Sequence, residues 1–411
     1  MCSVKKKLLF ITQQVPYPLN DGGNIRTYNM LKGLSLNYSV TLVASVPKLL
    51  AKDSFFYEAK VFLSDFCDEI FFVDDVKSTD LFFLLKTTFR SILKFCPISI
   101  SYNYNKNIMR EVERLLGEID FDVIHLNHLD TWQYLKDVNP DVYVAIDTHN
   151  IMFELYDKYS KFQNSLIRRL LNRFESFMFS IYEKRAFNKV DAVIFCSGRE
   201  ANIISTWGLN SKIHVVPNGV DTDYFKSDFD SYGDNPNIVV FTGAMNYSPN
   251  DDAAIFFIKE VLPILRERVD KIIFLVVGKE PSKKLLEYAM LCKDVQVTGR
   301  VDDVREYIKN SKVYVVPIRS GAGTRLKVLE AFSMGIPTVS TSIGAEGIDY
   351  VDGHNILIGD NPVDISNNIL DIINNKELSL NLSKNSRDFV ENNYDWEIIM
   401  KVLLDFYGRK I

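Results

Sequence analysis

Val313–Ser340 reads VYVVPIRSGAGTRLKVLEAFSMGIPTVS. The run Val313 to Pro317 is short, apolar and closed by proline, which predicts a buried strand. Thr338 to Ser340 is a second such run. Between them lies a segment suited to a helix from Thr324 to about Met334, stopped by Gly335 and Pro337. Strand, helix and strand in that order form one crossover unit of a parallel sheet. Gly321 and Gly323 suit a loop whose backbone comes close to a ligand, and Thr324 is the expected N-cap. Arg325 and Lys327 put positive charge in the first turn, where it opposes the helix dipole. That conflict points to a bound anion, which backbone N–H groups at a helix start also favour. Glu330 lies three residues after Lys327 on the same face, so one turn offers a cation to phosphate and a carboxylate to sugar hydroxyls. The alternative is a solvated Lys327 and Glu330 that pair with each other.

The same alternation extends in both directions. Apolar runs at Lys7 to Thr12, Val40 to Ser45, Ile70 to Val73, Val123 to Leu126, Val142 to Asp147, Ala192 to Cys196 and Ile213 to Val216 predict one parallel sheet. Runs at Ile238 to Gly243, Ile272 to Gly278, Val295 to Gly299, Val313 to Pro317, Thr338 to Ser340 and Asn355 to Ile358 predict a second. Val220 to Asn237, rich in Asp, Ser, Gly and Asn, is the expected linker. The fold class is therefore α/β, two doubly wound parallel sheets in series, with the strand ends of both expected to face a ligand cleft. Tyr394 to Tyr407 has apolar residues at Trp396, Ile399, Val402, Leu403 and Phe406, a helical spacing that needs a surface to cover.

Composition narrows the class. At 411 residues and 47% hydrophobic content the chain is too long for one compact core. A formal net charge of -5 argues against a nucleic-acid partner. The five cysteines form no CxxC pair, which favours a reducing, cytoplasmic compartment. The apolar run Leu8 to Thr12 is too short for a signal-peptide core, and no segment reaches the roughly 20 apolar residues that span a bilayer.

Taken together, Pro18, Gly22, Gly23, Asp147-Thr148-His149-Asn150, the Pro217-Asn218-Gly219-Val220-Asp221 hinge, Gly299 to Asp303 and the LEAFSMGIPTV segment resemble the retaining glycosyltransferases of family 4. Those enzymes have the GT-B architecture of two Rossmann-like domains. GTRLKVLEA followed by STSIGAEG is similar to members that build bacterial surface polysaccharides. The resemblance implies an acceptor-binding domain over 1–219, a nucleotide-sugar-binding domain over 220–393, and a C-terminal helix over 394–411 that packs back on the first. It implies transfer of a sugar from a nucleotide diphosphate donor to a glycan or lipid-linked acceptor; with no His/Cys cluster in the sequence, neither a metal nor another cofactor is expected.

Carried over residue by residue, Glu330 matches the carboxylate that holds the nucleotide ribose. The family usually has another carboxylate eight residues earlier; this chain has Ala322, so backbone amides of Gly321 to Thr324 are expected at the sugar and diphosphate. Many relatives carry cations after the first strand of the second domain, where this chain reads Gly243-Ala244-Met245-Asn246-Tyr247. Arg325 and Lys327 are the expected replacements as electrostatic catalysts. His149 matches the histidine that faces the donor sugar, the alternative being a purely structural side chain, and Asp147 is expected to point to the opposite side. Gly22 and Gly23, in a loop before a helix starting near Asn24, would close over phosphate or line the acceptor site, unless they are an ordinary turn. Val301 matches a position whose backbone reads the base, and Gly278 allows close approach of the nucleotide or simply ends a strand.

Asp-x-Asp pairs at Asp120, Asp221 and Asp228 read as solvated turns rather than metal ligands. The segment 158–189 reads as one basic amphipathic helix that docks on an anionic membrane or packs on the N-terminal sheet. Two rival functions share the architecture: a nucleotide-sugar epimerase, and a non-catalytic partner subunit.

Overall fold

The computed structural model describes residues 5–46, 53–75, 81–135, 139, 141–163, 165–226, 236–321 and 323–408. The chain divides into two compact units, Met1–Pro217 with Met400–Ile411, and Asn218–Ile399.

In the first unit, β1 (Lys6–Thr12), β2 (Tyr38–Val46), β3 (Glu69–Asp74), β4 (Val123–Asn127), β5 (Tyr143–Thr148), β6 (Ala192–Phe195) and β7 (Lys212–Val215) form one sheet in the order β3-β2-β1-β4-β5-β6-β7. All its pairings are parallel. Leu8 to Ile11 of β1 are fully buried, as in a sheet covered by helices on both faces, and this explains why the strands read as apolar runs rather than as alternating patterns. The chain adds strands outward from β1 to β3 and then returns to add β4 on the other side, so the order reverses between β1 and β4. Adjacent crossovers diverge there and leave a crevice at the carboxyl ends of the strands.

The second unit repeats the plan. Strands β8 (Ile238–Thr242), β9 (Ile273–Val277), β10 (Val295–Val297), β11 (Val313–Val316), β12 (Thr338–Ser340) and β13 (Leu357–Ile358) lie in the order β10-β9-β8-β11-β12-β13, again all parallel. Its reversal falls between β8 and β11. Each apolar run identified in the sequence carries a strand.

The Trp396–Gly408 helix contributes its length from Met400 onward to the first unit. Tyr407 places its hydroxyl 2.7 Å from His125 Nδ1 beneath the first sheet. Met400 fills the space over Gly33, where a Cβ would collide with its sulfur.

Several local expectations change. The expected linker begins inside the second unit: Val220 N donates to Tyr394 O at 2.8 Å, and Arg387 Nη1 donates to Phe225 O at 2.9 Å. Of the rest of that linker, 227–235, with the Asp228 pair, lies outside the described residues. The segment 158–189 is not one helix but parts of two, Met152–Phe162 and Leu166–Phe187. Lys158 and Lys161 pair within the first of these with Glu154 and Asp157, which offsets part of the positive charge read from the sequence.

Candidate active site

Each unit concentrates polar chemistry at its own strand-order reversal. In the second unit β11 leads into the glycine loop, and the following helix spans Leu326–Ser333. Thr324 is not its N-cap. Arg325 holds that position with no side-chain capping bond, and the Thr324 hydroxyl oxygen is buried without a hydrogen-bond partner among the described residues. Gly347 packs against this residue so closely that a Cβ on it would stand 3.0 Å from Thr324 Oγ1. Gly321 and Gly323 both have positive φ, 113° and 89°, a backbone that side chains strain to adopt. At Gly321 a Cβ would meet Arg325 Nη2 at 3.0 Å and the Tyr247 hydroxyl at 3.1 Å, so the bare backbone makes room for a guanidinium and a phenol. Arg325 is only 7% exposed. Ala322 lies outside the described residues.

Lys327 reaches back across the sheet end. Its Nζ donates to Thr242 O at 2.7 Å and to Asn250 Oδ1 at 2.9 Å, and stands 4.4 Å from the centre of the Phe241 ring. Its partners are thus on and after β8 rather than Glu330. An ammonium has three donors, so two such bonds leave a third for a ligand. Gly243, at φ 152°, keeps that side open: a Cβ there would lie 2.7 Å from Nζ. Burial, reinforced by Arg325, pulls the Lys327 ammonium down to about 7, with Glu330 opposing. Burial pushes the Glu330 carboxyl up to about 7 against the pull of Lys327. Holding both groups near neutrality forgoes the stability that exposed charges would keep, an arrangement typical of functional sites.

Gly278 and Gly299 close the same sheet end. Gly278 N donates to Gly299 O at 3.1 Å, and a Cβ on Gly278 would collide with Gly243 O, so the ends of β8 and β9 touch backbone to backbone. Close packing of the protein against itself is therefore the first reason for glycine at 278. Val301 is half-buried against the core of the second unit.

In the first unit the focus is Asp147. Arg26, fully buried on the helix Gly22–Ser35, donates from Nε to Asp147 Oδ2 at 2.9 Å and from Nη2 to Oδ1 at 2.6 Å. Its Nη1 donates to Val216 O at 2.9 Å. Burial opposes ionisation of Asp147, but the Arg26 guanidinium outweighs it and holds the carboxyl well below the usual range. His149 does not point away from Asp147, as expected, but toward it: Nε2 lies 3.6 Å from Asp147 Oδ2. Residues two apart share a face of a strand, and the chain keeps that sense just past β5. The His149 ring meets the His128 ring at 3.6 Å between centroids. Burial pulls His149 below its usual value despite Asp147, and burial with His149 pulls His128 well down, so both imidazoles are neutral at pH 7. His128 has φ 75°, a strained backbone for a non-glycine residue of the kind that clusters at functional sites.

Gly22 and Gly23 are not in a loop. They form the first turn of Gly22–Ser35, capped by Asp21, whose carboxylate accepts from Asn24 N at 2.9 Å. A Cβ at Gly23 would stand 3.8 Å from His149 Nδ1, which places this turn beside the histidine. Asn127, at the end of β4, donates to Thr12 and Thr27, while its Oδ1 is buried with no partner among the described residues.

Sequence reasoning missed Arg26, His128, Asn127, Tyr247 and Asn250. Asn127 and His128 carried a signal, standing just beyond the predicted strand end at Leu126.

With the geometry in place, comparison with known proteins is decisive. Residues 21–224 match the model described as Glycosyltransferase Family 4, and residues 236–375 match Glycosyl transferases group 1. The chain is a family 4 glycosyltransferase. This glycosyltransferase is 23% identical over 95% of its length to an uncharacterized 44.6 kDa protein in the cps region of Klebsiella pneumoniae, covering 96% of that protein. It is 23% identical, over 54% of its own length and 63% of the relative's, to a GDP-mannose-dependent alpha-(1-6)-phosphatidylinositol monomannoside mannosyltransferase of Mycobacterium tuberculosis. The crystal structure of Anabaena HepE in complex with UDP and glucose superposes with a TM-score of 0.67 at 13% identity, covering 98% of the glycosyltransferase and 100% of HepE. The fold is GT-B, and the enzyme is a glycosyl transferase.

Proposed function

We propose that the enzyme transfers a sugar from a nucleotide diphosphate donor to a glycan or lipid-linked acceptor with retention of the anomeric configuration, in cell-surface polysaccharide biosynthesis. The observation that carries this reading is Lys327: a half-buried ammonium held near neutrality, beside backbone-only Gly243, at the strand-order reversal of the second unit. A diphosphate supplies the charge that would keep this lysine protonated. Lys327 and Arg325 compensate the two phosphates as the glycosidic bond breaks, and Glu330 accepts from the ribose hydroxyls. Backbone N–H groups of Gly321, Gly323 and Thr324 meet the sugar and diphosphate. Gly243 and Gly278 allow the nucleotide close to the sheet end, and the Val301 backbone borders the base.

His149, oriented by Asp147, hydrogen-bonds a sugar hydroxyl as a neutral imidazole, and the turn of Gly22 and Gly23 borders the same group. The departing phosphate oxygen takes the acceptor proton, so the reaction needs neither a protein base nor a metal. The polysaccharide context is supported by the Klebsiella relative in a cps region, and a nucleotide-sugar donor by the UDP and glucose held in the HepE complex. We assign the enzyme to the cytoplasm, with peripheral contact to anionic membrane through 158–189. Leu166, Ile167, Leu170 and Leu171 are exposed there beside Arg168, Arg169 and Arg173. Among the described residues no helix is long and apolar enough to cross a membrane.

The test is a thermal-shift screen against UDP-, GDP-, ADP-, CMP- and dTDP-sugars, followed by NMR of the product made with the stabilising donor in the presence of EDTA. A product with the donor's anomeric configuration supports the reading. An inverted product, a requirement for metal, conversion of donor alone to its epimer, or no stabilisation by any nucleotide sugar would each overturn part of it.

A further inference from the structure

The Leu81–Lys94 helix of the first unit is amphipathic in the wrong direction for a helix in water. Among its described side chains, those of 84–94, the buried position is Ser91, fully covered, with Oγ donating to Thr87 O at 2.7 Å, and Thr87 and Thr88 are half-buried beside it. The opposite side carries Leu85, Phe89 and Leu93, which are 62%, 66% and 65% exposed. They fall four residues apart, so they form one stripe along the helix. Ile92 and Phe95 widen it, at 48% and 54% exposed. A helix that folds against a protein core turns its apolar stripe inward, because removing apolar surface from water is favourable. Among the described side chains of this helix, the covered positions are small hydroxylated residues, and Leu85, Phe89, Ile92 and Leu93 face out.

The charges follow the same geometry. Lys86, Arg90 and Lys94 make a parallel row one residue over from the stripe, and the helix contains no Asp or Glu, in a chain whose formal net charge is -5. Long cationic side chains beside an apolar stripe can lie along it and raise their charged ends to the level of lipid phosphates. Fourteen residues make a helix about 21 Å long, which suits lying in the interface plane rather than crossing it. A second copy of this chain fits the face poorly, since a two-fold contact would set the three cations of one helix against those of the other.

We infer that the Leu81–Phe95 segment is an interfacial anchor. Leu85, Phe89, Ile92 and Leu93 enter the acyl boundary of an anionic bilayer, and Lys86, Arg90 and Lys94 meet its phosphates. This deepens the membrane part of the proposed function by naming a further element, on a helix separate from 158–189. The helix is seated on the rest of the unit: Arg185 Nη1 donates to Lys94 O at 3.1 Å, and Glu175 accepts from Ile98 N at 2.8 Å just beyond it. Insertion would therefore fix the orientation of the whole first unit at the bilayer.

The experiment uses the full chain with vesicles of phosphatidylcholine alone or with about 30% phosphatidylglycerol. Co-sedimentation is expected with the anionic vesicles, to fall at least tenfold for the double variant L85Q/F89Q, and to weaken as salt rises. L170Q/L171Q is the matched variant in the other segment, and a smaller loss there separates the two surfaces. The variant F89W provides a readout independent of binding loss: its emission should shift to the blue and become protected from acrylamide quenching only with anionic vesicles. Nucleotide-sugar stabilisation of L85Q/F89Q should equal that of the parent, so failure of the donor assignment and failure of this one are distinguishable. Equal sedimentation of L85Q/F89Q and parent, an unshifted F89W spectrum, or concentration-dependent self-association lost in L85Q/F89Q would overturn the inference.

Discussion

The two strand-order reversals of this enzyme use charge in opposite ways. At the first, Arg26 and Asp147 neutralise each other in a buried two-pronged pair, and the imidazoles they support are neutral. At the second, Lys327 and Glu330 are displaced toward neutrality from opposite sides, and Lys327 directs its bonds to a carbonyl and an amide rather than to a carboxylate. The first pairs its charges internally, while Oδ1 of Asn127, the cross-strand neighbour of Asp147, is buried with no hydrogen-bond partner among the described residues. The second gives Lys327 two neutral oxygens as partners, and in the proposed reading an anion adds the opposite charge. In the proposed reading the contrast separates a group that orients from groups that bind, although each centre is built from the same three parts: a cation, a carboxylate and glycine.

Breaking the first pair should have the largest effect on the fold. Arg26→Met leaves Asp147 charged and buried, and a loss of about 3–5 kcal/mol is expected in urea unfolding. If Arg26→Met unfolds at the parent's urea midpoint, the pair does not hold the first unit. Lys327→Met should behave in the reverse manner. Turnover should fall about 100-fold, or about 2.7 kcal/mol of transition-state stabilisation, while the melting temperature is unchanged or higher. A variant with full turnover would remove Lys327 from the catalytic role. Gly278→Ala tests packing rather than charge: its methyl would collide with Gly243 O, and a loss of about 1–3 kcal/mol in unfolding is expected.

The smallest effect is in pH. Lys327 has its folded value lowered from 10.5 to about 7, so between those values the unfolded chain binds more protons and stability rises with pH. Glu330 is raised from 4.5 to about 7, so its contribution is present at low pH and is lost as pH rises through that window. The two together predict a stability minimum near neutrality in the enzyme without donor, which K327M should flatten on the alkaline side. Donor affinity should weaken by up to about tenfold per pH unit above 7, as the free ammonium is lost. A donor affinity independent of pH across that alkaline range would show that Lys327 does not meet the diphosphate.

How legible each centre was in the sequence follows from the same contrast. Lys327 and Glu330 were visible because cations in a first helical turn are locally unfavourable, and a local conflict can be read without knowing the fold. Arg26 was invisible because its reason lies 121 residues away, at Asp147. The inward face of its helix carries Asn24, Arg26, Thr27 and Asn29, which no apolar periodicity reports. Strands were legible because sheets covered on both faces demand unbroken apolar runs. The Thr324 cap is not formed although its residue type suits one, and the break of 158–189 into two helices falls at Gln163-Asn164-Ser165, where Asn and Ser are cap and turn residues and Ser165 is the N-cap of the second helix, a signal the basic, apolar composition around it overrode. The Leu81–Lys94 helix hid in plain view: its apolar content reads as core until the structure shows which side is covered.

The helix Trp396–Gly408 has one further consequence. The element that seals His125 and fills the space over Gly33 follows the entire second unit in the chain. On the ribosome, the second unit is therefore fully synthesised before the first can close its core. The nascent first unit must wait with a gap beneath its sheet, exposed to chaperones and proteases, until the final helix emerges. Order of synthesis and order of completion run in opposite directions here, and a ribosome stalled within the second unit would release a first domain that is long enough to fold but still missing a piece of its interior.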